Sequence, residues 1–160
     1  QRQMCIRDSS RCVSFAIAPV SPADCARYCT AHGVDKKTAA LYSELFDGHI
    51  GTVLTAARDK ARTEQVDKAM ELARAAQAGD SYTAAVLLAP YEKDKAGAAA
   101  LLRDLRAVAA AGLQGSPHAP VQGQQAQRTL RLAEAAIQRL GAQVNPKIVL
   151  TVFAARLAHA

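Results

Sequence analysis

The stretch from Gln125 to Ala160 constrains this chain most, because it reads as two helices with a single break between them. Leu130, Ala133, Ile137 and Leu140 recur at steps of three and four, which puts them on one helical face. Arg128, Arg131, Glu134, Gln138 and Arg139 fall largely on the other faces. A left-handed cap at Gly141 would close this helix, since glycine carries no Cβ. Asn145-Pro146 opens the next one: the Asn side chain caps it, and Pro at the first helical position gives up an N–H that has no partner there. Val149, Val152, Phe153 and Leu157 make a second apolar stripe. Two stripes so close in sequence are expected to bury each other as a helical hairpin, and their surplus apolar surface needs a further partner.

The rest of the chain predicts an all-α protein. Half of its residues (50%) are apolar, but Ala dominates them and aromatics make up only 4%. Ala is the best helix former and lets helices approach closely. Strand-like alternation is confined to Val13 to Ile17. No run of about 18 apolar residues occurs, so no membrane span is expected and a cytoplasmic protein is. The N-terminus lacks the apolar core of a signal peptide and starts at Gln1 without an initiator Met. A fragment with its front missing is the expectation. Gln1 to Ser9 (QRQMCIRDS) resembles a translated sequencing-adapter scar and is set aside from the fold. The formal charge of +6 is compatible with a solvated surface rich in Arg and Lys, or with contact to nucleic acid or an acidic protein. The basic residues are dispersed, without a like-charge run interleaved with aromatics.

Turn and cap residues divide the chain into short helices. Ser21-Pro22-Ala23-Asp24 starts a helix that runs to about His32 and stops at Gly33. Asp35 caps the next, from Lys36 to about Phe46, with Ala39, Ala40, Leu41, Leu45 and Phe46 inward. Asp47-Gly48 is a turn, and a third helix begins near His49 or Ile50 and carries Val53, Leu54 and Ala57. A charged helix from about Arg58 follows, with Val66, Met70, Leu72 and Ala73 on its apolar side. After the break at Gly79-Asp80, Ser81 is expected to cap a helix through Leu88, which Pro90 disrupts. A long Ala-rich helix from about Lys93 to Ala111 carries Leu101, Leu102, Leu105 and Val108. Gly112 to Gly123 reads as an exposed tip or flexible connector, with His118 in solvent.

No enzyme site is visible. The phosphate-binding, dinucleotide, zinc-protease and nucleophile-elbow motifs are all absent. The four His stand at positions 32, 49, 118 and 159, and the carboxylates form no convincing pair. The four cysteines, Cys5, Cys12, Cys25 and Cys29, make no C-x-x-C pair, so a metal site has little support. Cys25 and Cys29 share a helical face and read as small buried hydrophobes.

One ordered set of features carries a family resemblance. Ser10-Arg11-Cys12 precedes the short apolar run, Pro19 and two capped helices; Asp47-Gly48-His49-Ile50-Gly51-Thr52-Val53-Leu54 opens a third. The chain closes on Arg128, Leu130, Ala133, Ile137 and Leu140, then Gln143-Val144-Asn145-Pro146 and Val149-Leu150. From about Ser10 to Leu157 this resembles the bacterial clamp-loader subunits of the AAA+ class, read from the end of the ATPase core, and the delta prime type of DNA polymerase III among them.

The resemblance implies a three-helix AAA+ lid over 13–61 and a helical collar, the oligomerisation domain, over 62–160. Residues 1–12 would be an artefactual or truncated end of the ATPase core. Arg11 would be an arginine finger, reaching the γ-phosphate of ATP held by a neighbouring subunit, with Ser10 and Cys12 orienting its loop. The sensor position of ATP-binding members falls on Gly51, whose lack of a side chain implies a subunit that does not itself use ATP; His49 and Arg58 are the nearest cations. Leu130, Ile137, Val149, Val152 and Phe153 would supply the collar interface. No cofactor is implied in this fragment, since ATP would sit on neighbours and the family's zinc module lies upstream. The implied partners are the gamma/tau and delta subunits and, indirectly, the sliding clamp and primed DNA. No independent activity is implied, only a place in a DNA-directed DNA polymerase holoenzyme. The alternatives are a gamma/tau-like ATPase subunit of the same complex and a generic basic α-helical module that binds protein or DNA.

Overall fold

A computed structural model of the chain describes residues 18, 20–142 and 144–158. Arg11 and the run from Val13 to Ile17 lie outside the described residues, as do Cys5, Cys12 and His159. The described residues form an all-α structure of eight α-helices and one short 3-10 turn, with no strand among them.

Local chemistry accounts for the first three helices. In α1 (Pro22–Ala31) the Ser21 hydroxyl accepts the Asp24 N–H at 3.2 Å, Pro22 opens the first turn, and Cys25 and Cys29 face inward. Gly33 ends the segment in the left-handed region at φ 87°. Asp35 caps α2 (Lys36–Leu45), its carboxylate accepting the N–H groups of Lys37 and Thr38. This helix buries Ala39, Tyr42, Ser43 and Leu45, whereas Ala40, Leu41 and Phe46 are only half-buried. Tyr42 is buried in their place, its side chain set against Thr63 and neighbouring residues of the helix that follows the third. The Asp47-Gly48 turn has positive φ at both residues, and a Cβ on Gly48 would lie 1.8 Å from the Val20 carbonyl oxygen. Then α3 (Ile50–Arg58) buries Val53 and Ala56.

A single residue joins this unit to the next. Asp59 donates its N–H to the Thr55 carbonyl at the end of α3, and its carboxylate accepts the Ala61 N–H at the start of α4 (Lys60–Ala78). The charged helix expected here is α4, and it buries Val66, Met70, Leu72 and Ala73 together with Ala69, Ala75 and Ala76. Gly79 closes it in a left-handed cap at φ 69°. The cap of α5 (Ser81–Leu88) is Asp80, not Ser81: its carboxylate accepts the Thr83 N–H at 3.0 Å, one position earlier than expected. Pro90 turns the chain into the 3-10 segment Ala89–Tyr91, and Asp94 caps α6 (Lys95–Leu113).

The link from α6 to α7 (Gly123–Gly141) is not a free tip. Ser116, Ala119 and Val121 are buried. The Gln122 side-chain amide donates to the carbonyls of Ser116 and Ala119, and its backbone N–H donates to the Gln77 side chain at 2.9 Å. A Cβ on Gly112 would lie 1.9 Å from the Val121 carbonyl oxygen, so the link lies directly on the helix it leaves. His118 is exposed as expected, as are Leu113, Gln114, Gly115 and Pro117. Gly141 is the last residue of α7 and is not in the left-handed region; Ala142, at φ −82°, makes the reversal. Asn145 caps α8 (Pro146–Ala158) by accepting the Lys147 N–H at 2.9 Å.

Packing departs from a simple closing hairpin. The stripe of α7 lies chiefly along α6, which itself packs on α4, and α8 pairs more extensively with α5 than with α7. The surplus apolar surface of the two closing helices is thus met largely inside the chain. One continuous core runs from Cys25 to Leu157, with small Ala side chains at many of its contacts.

Two of the caps make the fold sensitive to acid. The Thr38 N–H holds the Asp35 carboxyl below the ordinary value of 3.8, with Lys37 assisting. The Thr83 hydroxyl, then its N–H, does the same for Asp80. A carboxylate with a depressed folded pKa stabilises the native state above its unfolded pKa and loses that contribution as pH falls through the folded value. The urea midpoint is therefore expected to fall as pH drops below 3.8. Replacing both caps by Asn, which caps without titrating, should flatten this fall; an equally steep acid limb in the double variant would assign the loss to other groups.

Candidate interaction surface

Arg11 lies outside the described residues, so the structure gives its finger role no geometry. Gly51 is exposed in the first turn of α3, with nothing within 4 Å of where a Cβ would stand. Of the cations near it, Arg58 donates to the His32 carbonyl at 3.3 Å and ties the end of α3 to the end of α1. The His49 side chain makes no cap hydrogen bond.

The remaining reactive groups are held in structural roles. Cys25 and Cys29 are free thiols buried on one face of α1. Burial, reinforced by Cys25 beside it, pushes the Cys29 thiol above its ordinary value of 9.0, the direction that suppresses nucleophilic thiolate. The His32 ring stacks on Tyr28 with centroids 4.0 Å apart, and its Nδ1 is 2.8 Å from the Tyr28 carbonyl oxygen. Among the described residues no group of three or more His, Cys, Asp or Glu could hold a metal ion. Among them, too, no helix is long and apolar enough to cross a membrane.

One charged side chain stands out among the described residues because it is buried. Asp104, in phase with Leu101, Leu105 and Val108 on α6, is 7% exposed. The Arg62 guanidinium grips both of its carboxylate oxygens, and the Gln65 amide donates to Oδ2 at 2.8 Å. Arg62 also stands over the Phe46 ring at 5.6 Å, so the cluster joins α4 and α6 to the end of α2. The Asp104 hydrogen bond raises the Arg62 pKa further, and the guanidinium stays charged throughout the working range of the protein. The Ser116 hydroxyl donates to the Glu44 carboxylate and makes a second polar tie between α2 and the back of the molecule.

The expected interface residues divide. Val149 and Phe153 are buried in the chain's own core, whereas Leu130, Ile137 and Val152 are half-buried. A docking face on α8 therefore cannot be built from Val149 and Phe153 while the chain keeps this fold. The most exposed large apolar side chains among the described residues are Tyr82 (79% exposed), Ile148 (58%) and Val86 (54%). Of these, Tyr82 lines a groove of about 340 Å³ between α5 and α8, together with Ala85, Leu88, Leu150 and Ala154, while Val86 and Ile148 stand on the same two helices outside its lining. Helical spacing places Val86 one turn from Tyr82 on α5, and Ile148 one turn from the groove-lining Thr151 on α8. Sequence reasoning passed over these residues, although a signal was present: SYTAAVLL and PKIVLTVFAARLA are apolar on nearly every side, which a helix at the edge of a small protein has no reason to be.

No protein-family model matches the sequence, and no match emerges among curated proteins or solved structures.

Proposed function

We propose that this chain is the C-terminal part of a clamp-loader subunit of the delta prime type, and that it works by assembly. Its three short helices α1 to α3 would be the lid and its five helices α4 to α8 the collar. The exposed apolar side chains Tyr82, Val86 and Ile148 on α5 and α8, beside the groove that Tyr82 lines, carry the reading, since they are the surplus surface that a collar needs for a neighbouring subunit. The order of the Ser10-Arg11-Cys12 triplet, the lid-like helices and the Asn145-Pro146 helix supports it from the sequence. Arg11 would reach a neighbour's ATP, and Gly51, without a side chain, fits a subunit that binds none. The collar contact would then rest on Tyr82, Val86 and Ile148, with the half-buried Leu130 and Val152 as secondary members.

The test is co-expression with gamma/tau-type and delta-type subunits of the same source, followed by size-exclusion chromatography. The chain is expected to co-elute with them. The Tyr82→Asp and Ile148→Asp double variant should weaken the association about 30-fold or more, the loss typical of an interface hot spot. Its melting curve should stay close to that of the wild type, because both positions face solvent. A wild-type chain that elutes alone from the mixture would sink the proposal. An upstream sequence with an intact G-x-x-x-x-G-K-[ST] loop would move it to the gamma/tau-like ATPase subunit.

A further inference from the structure

A second hollow lies on a different face, between the start of α6 and the end of α7, with a volume of about 470 Å³. Its apolar floor is Ala96, Ala99, Ile137 and Leu140, and its only charged lining residues are Lys95 and Arg103. No carboxylate lines it. Lys95 and Arg103 are eight positions apart on α6, so their Cα atoms stand about 12 Å apart along one side of the helix. Among the described residues neither takes part in an ion pair or a side-chain hydrogen bond, whereas Arg106, one turn further on, faces Glu134 of α7 at 3.8 Å. The hollow thus presents two uncommitted cations astride an apolar floor.

We propose that this hollow docks an acidic peptide segment, with one large apolar side chain seated on Ala96, Ala99 and Ile137 and carboxylates on either side of it paired with Lys95 and Arg103. The volume is that of an ordinary small-ligand pocket, and the Ala residues leave the α6 backbone open to an inserted side chain. A second copy of this chain is a poor occupant, because a two-fold contact through the hollow would bring Lys95 and Arg103 against their own equivalents, in a chain that already carries +6. Nucleic acid also fits less well: phosphates would find the cations, but the floor between them offers Ile137 and Leu140 rather than donors or an aromatic platform. This inference does not depend on the clamp-loader reading.

The probe is a fluorescein-labelled synthetic peptide with a central Phe flanked by two acidic residues on each side, titrated by anisotropy against the full chain. Companion probes carry the amide residues in place of the acids, or Ala in place of the Phe, and a single-stranded DNA 20-mer is run alongside. Binding of the acidic Phe peptide is expected, with chemical-shift changes in 15N spectra confined to 95–103 and 137–141. Arg103→Glu should weaken it about tenfold, and Arg103→Lys should largely preserve it. Ala96→Phe, at an exposed helix position, fills the hollow without changing charge and should also abolish binding. No binding of the acidic peptide up to millimolar concentration overturns the proposal. So does equal binding of the amide peptide, indifference to both Arg103→Glu and Ala96→Phe, or binding of the DNA alone.

Discussion

Phe153→Asp is expected to unfold the chain. The ring is 3% exposed on α8, inside the core that this helix shares with α5 and α7. Truncating a buried Phe costs about 3–5 kcal/mol. A carboxylate left in the vacated space adds several kcal/mol, because no cation of the core stands ready to pair with it. The sum is comparable with the whole stability of an ordinary domain, about 5–15 kcal/mol. Far-UV circular dichroism should show the loss of a sigmoidal thermal transition. Ile148→Asp, five residues earlier and 58% exposed, should change stability by no more than about 0.5 kcal/mol. A native melting curve for Phe153→Asp would mean that α8 is not docked as described. The contrast matters for function: loss of a partner in the Phe153 variant would report unfolding, whereas loss in the Ile148 variant would report contact.

Asp104→Ala is expected to cost about 3 kcal/mol, the lower part of the range for removing one partner of a buried ion pair. The lower part applies because the Arg62 side chain is 26% exposed and can recover some hydration. The Gln65 amide loses its acceptor as well, so two donors are stranded by one substitution. Urea unfolding monitored at fixed pH measures the loss. Replacing the pair together, Arg62→Met with Asp104→Leu, should recover most of it, since an ion pair exchanged for well-packed apolar residues is often neutral or stabilising. If the double variant is as unstable as Asp104→Ala, packing at the junction of α2, α4 and α6 outweighs the charges.

The sequence was most informative where a structural decision is made within a few residues. Ser21, Asp35 and Asn145 cap the helices they were expected to cap, because the acceptor and the N–H it meets are two or three positions apart. Asp80 took the cap from Ser81 by a one-residue shift, and the helix barely changed. Long-range chemistry was harder to read. Arg62 belongs to a charge-dense stretch that looks solvated, and its partner is 42 positions away. The clue was on the other side: Asp104 interrupts the apolar stripe of Leu101, Leu105 and Val108, and a carboxylate at such a position demands a partner. Gly112 to Gly123 has the composition of a free loop, yet Gln122 and Ser116 satisfy its polar groups against helices and let it pack down. The pairing of α8 with α5 had no direction in the sequence, because neither helix has a clear polar face to turn away.

That pairing sets the order in which the chain becomes safe from misassembly. As the protein is synthesised, α5 leaves the ribosome before α6, α7 and the link between them, and α8 follows only after all of these. At ordinary translation rates the delay is on the order of seconds. Throughout it, an eight-residue helix that is apolar nearly all round has α4 on one side and nothing on the other. The same surface that α8 later covers is open to any other nascent chain, so the newly made protein is most prone to aggregate just before its last described helix arrives.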